Sequence, residues 1–119
     1  MSGFASDARI PSRAGVGLKA EHYAEIEAGG FEPDGAAWFE IHAVNYMGAG
    51  GPPHAHLRKI RDQCPISVHG VGLSIGAEVG VDPEHLSRLS KVVANYQPGL
   101  FSEHLAWSTL ETGGLNELL

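Results

Sequence analysis

Apolar positions along this chain follow two rhythms. Short runs of mostly apolar residues (Ala14-Gly15-Val16-Gly17-Leu18, Ala37 to His42, Pro65 to His69 and Gly99 to Glu103) have the length and content of buried strands. Between them, apolar residues recur every three to four positions, as on one face of a helix. Ala20 to Ala28 carries Tyr23 and Ile26 on one face and stops at Gly29-Gly30. Pro53 to Asp62 turns Leu57 and Ile60 inward and places Pro in the tolerated first turn. The strongest helical signal follows Asp82-Pro83, an N-cap with Pro at N1, and runs through Leu86, Leu89, Val92, Val93 and Tyr96 until Pro98 blocks it. Glycine-rich segments, Asn45 to Pro52 and Gly70 to Gly80, read as loops. Residues 1 to 13 read as a flexible leader, and Leu105 to Leu119 shows no assignable period.

The order is therefore β-α-β-α-β-α-β, which predicts a parallel sheet with right-handed crossovers. The strands end near Leu18, His42, His69 and His104, spaced 24, 27 and 35 residues apart. That spacing suits a TIM (β/α)8 barrel, which takes about 250 residues. The expectation is an α/β fold in which residues 14–119 form a partial TIM-barrel domain, its N-terminal half of about four β/α units. Such a half barrel has two unpaired edges, and self-association through them is expected.

The 119 residues carry a formal net charge of −6 with 43% hydrophobic content. An acidic chain is a poor partner for nucleic acid or an anionic membrane. No apolar run approaches the roughly 18 residues of a membrane span, and the N-terminus lacks the layout of a signal peptide. The single cysteine, Cys64, has no intrachain partner and abuts a strand, where it reads as small core filler. A reducing cytoplasm is the expected location.

Strand ends are where a parallel β/α fold delivers its chemistry. His42, His69 and His104 each close a strand, so the topology brings them to one rim. Neutral imidazole is a good ligand for iron, zinc, copper or nickel, and Glu103 would ligate beside it or orient a ligand. The opposing reading, a hydrogen-bonded histidine at the end of each strand, stays open on spacing alone. His22, His54, His56 and His85 fall on helices or in their first turns and read as solvated surface. The loop Gly70-Val71-Gly72-Leu73-Ser74-Ile75-Gly76 follows a strand, but no helix opens directly after it, which argues against a dinucleotide site. Ser74, Ser102 and Ser108 lack the setting of a serine nucleophile.

Four segments in order, Gly15-Val16-Gly17-Leu18, His42-Ala43-Val44-Asn45-Tyr46-Met47-Gly48, His69-Gly70-Val71-Gly72-Leu73-Ser74 and Ser102-Glu103-His104-Leu105-Ala106-Trp107-Ser108, resemble the bacterial domain of unknown function 692 family, which includes the methanobactin-biosynthesis oxidase. The resemblance implies a xylose-isomerase-like TIM barrel holding two or three non-haem iron ions. It also implies oxidative rearrangement of peptide cysteines with dioxygen, aided by a small partner protein that presents the peptide. By motif position it makes His69 and His104 iron ligands, and places Glu103, Asn45 and His42 in the pocket or behind the ligands. Two departures stand out. Val44 replaces an acid that usually precedes Asn-Tyr-Met, and the family's later Asp, His and Glu ligands come from strands beyond those found here. The expectation is thus a truncated or fragmentary family member whose 119 residues hold an incomplete site. The alternatives are a divalent-metal isomerase or phosphodiesterase of related barrels, and a non-catalytic half-barrel remnant.

Overall fold

Parallel strands all point one way, so a crossover must join every neighbouring pair. The computed structural model, which describes residues 3–29, 36–107, 109–110 and 113–114, is built in this manner. β1 (Val16–Gly17), β2 (Phe39–His42), β3 (Ile66–Gly70) and β4 (Leu100–Glu103) lie side by side in chain order, each pair parallel. α1 (Tyr23–Glu27), entered through a 3-10 turn at Ala20–His22, falls between β1 and β2 in the chain. α2 (Pro52–Gln63) separates β2 from β3, and α3 (Pro83–Tyr96) separates β3 from β4. The molecule is an α/β half barrel of four units, as the alternation of periods predicts. In the tail, β5 (Thr109–Leu110) and β6 (Gly113–Gly114) pair antiparallel. Ser108 and the rest of the tail lie outside the described residues.

The register decides which side chains face the helices. Phe39 pairs with Ile66, and Ile41 with Val68. Successive residues point to opposite faces, so these four share the helix side of the sheet. Ile41, Ile66 and Val68 pack with Leu57 of α2 and Leu89, Val92 and Tyr96 of α3. Phe39 joins Ile26, Ile60 and Cys64 in a neighbouring cluster. Truncating any of these large side chains to alanine is expected to cost about 2–5 kcal/mol. β1 is shorter than expected, yet its ladder reaches further: Ala37 N–H donates to Ala14 O at 2.9 Å and Leu18 N–H to Glu40 O at 2.8 Å.

The start of α3 is capped as its sequence dictates. The Asp82 carboxylate accepts the Glu84 N–H at 3.0 Å, capping α3 ahead of Pro83. At the other end, Gln97 takes a left-handed conformation with φ 47°. There Arg61 of α2, only 1% exposed, donates from Nε to Tyr96 O at 2.9 Å and from its terminal nitrogens to Gln97 O and Ser6 O. A cation on the last carbonyls of a helix suits the dipole, while burial lowers the guanidinium pKa. Residues 4–13 form no helix or strand. Ala5 N–H donates to Asp62 at 2.8 Å, Ser6 Oγ to Arg61 O at 2.6 Å, and Phe4 stacks under the Arg61 guanidinium.

Candidate metal centre

Residues paired in a parallel ladder share a face. His42 pairs with His69, and His69 with Ser102, so three polar side chains form a row across the carboxyl ends of β2, β3 and β4. His104 stands two residues past Ser102, on the same side by alternation, and its N–H extends the ladder to Gly70 O at 3.1 Å. The rings of His42 and His69 are 5.8 Å apart, and those of His69 and His104 are 4.8 Å apart. Topology thus assembles three histidines that stand 27 and 35 residues apart in the chain.

The two inner histidines face each other through their Nε2 atoms at 3.2 Å. Two imidazole nitrogens bound to one ion at about 2.1 Å, cis to one another, stand about 3.0–3.4 Å apart. The pair therefore fits two positions of a metal's shell. His69 Nδ1 meets Ser102 Oγ at 2.7 Å. His104 Nδ1 is buried and has no hydrogen-bond partner among the described residues. Glu103, the residue between Ser102 and His104, points to the other face by alternation and lies over Gly70: its Oε1 accepts the His104 N–H at 3.2 Å, while its Oε2 is buried and unpartnered among the described residues. A bare buried carboxylate oxygen is costly unless a cation or a hydrogen-bond donor meets it. Among the described residues, no three His, Cys, Asp or Glu side chains are grouped to hold a metal ion.

The pocket residues differ in how closely they approach. His42 is exposed at the end of β2, its ring tilted 60° to that of His69. Asn45 lies exposed on the 3-10 turn Ala43–Tyr46, beside Val44, which is 56% exposed. Behind the rim, the loop after β3 and the start of α3 enclose a cavity of about 320 Å³ lined by Gly72, Leu73, Val79, Asp82, Pro83 and His85.

Two histidines expected on solvated surface are instead engaged. His54 is half-buried in the first turn of α2, bonded through Nδ1 to the Tyr96 hydroxyl and through Nε2 to Gly48 O at 2.8 Å. His56 pairs with Glu27 and stacks on Tyr23 at 4.7 Å. Tyr23 and Tyr46 join their hydroxyls between them. Both histidines depart from the expectation because their partners arrive from other elements, which helical spacing cannot show. His85 is also half-buried, against Gly72, whereas His22 is exposed. Desolvation raises the Tyr46 and Tyr96 pKa values, and the Tyr23 hydroxyl bond adds to the effect at Tyr46. Ser102 and this tyrosine cluster escape a reading of the sequence alone; the only signal for Ser102 is its place two residues before His104.

The model of the family described as RiPP precursor modification enzyme MbnB/TglH/ChrH matches residues 13–119. A UPF0276 protein of Rhizobium meliloti is 50% identical over 115 residues, covering 92% of this chain and 35% of its own length. A UPF0276 protein of Caulobacter vibrioides is 50% identical over 96 residues, with 81% and 33% covered. One from Paraburkholderia phytofirmans is 50% identical over 111 residues, with 93% and 35% covered. The chain thus spans about a third of the length of these relatives. With a half barrel that gathers histidines at the rim and a family match across nearly all its residues, this chain belongs to the MbnB/TglH/ChrH family of RiPP precursor modification enzymes.

Proposed function

We propose that this chain supplies the N-terminal half barrel of an iron-dependent oxidase, which oxidatively modifies cysteine residues of a ribosomally made peptide with dioxygen. The observation that carries the reading is the convergence of His69 and His104 at 3.2 Å on the rim where such folds do their chemistry. Iron bound there would bring dioxygen and a substrate thiolate together. The chain's own residues do the rest. His69 and His104 offer Nε2 lone pairs, and Glu103 brings negative charge to offset that of the cation. The loops after β2 and β3 shape the peptide entrance, with the cavity beside α3 as its recess. Two or three iron ions need bridging carboxylates, which on this reading come from polypeptide outside these residues. A small partner protein would present the peptide. Cytoplasmic action suits a single buried thiol, and no helix among the described residues is long and apolar enough to cross a membrane.

The test is iron content after purification. His69→Ala and His104→Ala are each expected to lower it about tenfold or more, at least the loss seen when only a supporting partner is removed. Wild-type iron content in both variants would overturn the ligand assignment. Zinc, magnesium or manganese in place of iron would instead favour a hydrolytic or isomerising barrel.

A further inference from the structure

We infer that Ser102 is a positioning residue for His69: its hydroxyl accepts the Nδ1–H of His69 and thereby presents the Nε2 lone pair to the metal. The inference rests on the metal reading above.

Three observations converge on this role. Ser102 is the register partner of His69, so strand pairing itself sets the hydroxyl opposite the ring. The contact is 2.7 Å, a full hydrogen bond, and it engages the nitrogen that does not face His104. The third is proton accounting around the pair. One proton must lie between the two Nε2 atoms when neutral rings meet at 3.2 Å. If Ser102 donates to His69 Nδ1, then His69 Nε2–H donates to His104, and His104 Nδ1 must carry a hydrogen. That nitrogen is buried without a partner among the described residues, so the result is an orphaned donor. If Ser102 accepts, the proton between the rings belongs to His104 Nε2, and the buried Nδ1 is only a bare lone pair. Orphaned buried donors are the rarer arrangement, which favours the accepting hydroxyl. This arrangement already aims the His69 lone pair at the gap between the rings. His104 lacks such a partner and must move its own proton to Nδ1 to ligate. Ser102 therefore makes His69 the preorganised member of the pair.

The experiment uses the purified 119-residue chain and zinc(II) alone as probe, in wild type and in Ser102→Ala, Ser102→Thr and His69→Ala. Ser102→Ala is expected to weaken zinc binding about 10–100-fold, the usual loss for a partner that orients a ligand. Ser102→Thr, which keeps the hydroxyl and suits a strand, should restore it. Nitrogen-15 NMR of the metal-free chain should show His69 protonated on Nδ1 in wild type and in Ser102→Thr, shifting toward Nε2 in Ser102→Ala. Ser102 is exposed, so a merely structural role would leave both readouts unmoved. Unchanged affinity in Ser102→Ala, or an Nε2-protonated His69 in wild type, would overturn the positioning role. If His69→Ala binds zinc as well as wild type does, the metal reading itself fails; a loss in His69→Ala without one in Ser102→Ala sinks the positioning role alone.

Discussion

Glu103 can fold its carboxylate over β3 only because its register partner, Gly70, has no side chain. A Cβ at position 70 would collide with Glu103 Oε2, the same oxygen that is buried without a partner among the described residues. Gly70 is not at positive φ, so alanine suits the backbone and changes little besides that contact. Gly70→Ala should therefore push the carboxylate out toward water. Moving an unsatisfied buried oxygen into solvent removes a desolvation penalty of about 1–3 kcal/mol, so the variant should melt no lower than wild type. Metal affinity should fall about tenfold, as when an orienting group is lost. A titration that finds affinity unchanged would remove Glu103 from the site. Cys64 tests the core at the same scale. Burial pushes its thiol up to about 11, so at neutral pH it should react with a thiol reagent only as fast as the chain opens. The unfolded thiol ionises first, near its ordinary value of 9.0, and therefore binds fewer protons than the folded one. Stability from this group is complete below pH 9 and is lost as pH rises toward 11, by about 3 kcal/mol in all. A urea midpoint that stays level across that window would contradict the burial.

Among the elements, the longer helices and the strands were legible and the contacts between them were not. Leu57 and Ile60 point inward on α2, and Leu89, Val92 and Tyr96 on α3, as their spacing predicts, because a buried helix face repeats locally. His54 shares α2 with them but owes its environment to Tyr96, 42 residues away, and to Gly48 in the preceding loop. No local period records such a meeting. The contact with Gly48 O requires a hydrogen on Nε2, so a neutral His54 accepts the Tyr96 hydroxyl at Nδ1. One ring thus ties the glycine-rich loop after β2 to the end of α3. Tyr96→Phe leaves that Nδ1 without its donor and should cost about 1–3 kcal/mol by thermal melting. His54→Ala should in addition speed amide exchange across residues 47–51, since the loop loses its anchor. Faster exchange spread evenly over the chain would show general destabilisation instead of a released loop.

At the scale of the whole molecule, the half barrel was readable from alternation and repeat length, and the gathering of His42, His69 and His104 followed from topology alone. That His69 lies opposite Ser102 and not His104 was not readable, because register depends on strand pairing. Among the described residues, the same architecture leaves β1 and β4 as sheet edges. On β4, Leu100 is 53% exposed and Phe101 46%; on β1, Val16 is 52% exposed; just past β4, Leu105 is 89% exposed and Trp107 56%. Phe101 pairs with Val68, whose side chain is fully covered by the helix layer, so Phe101 stands on the same face one strand beyond that cover. The relatives carry about twice as much chain again outside the matched segment, enough for further strands and helices to lie there. For the 119 residues by themselves, an apolar row beside an unpaired parallel edge should drive association. Sedimentation at rising concentration should therefore show species heavier than the monomer of 12.6 kDa. Phe101→Lys, which places a charge on that row, should shift the equilibrium toward monomer while leaving His69 and Ser102 in register, since backbone pairing sets that register. A chain that stays monomeric and melts in one cooperative step would mean that the half barrel is stable with its edges bare. The open strands would then be no barrier to a free-standing domain, and binding of zinc by that monomer would place the histidine pair within reach of a single copy.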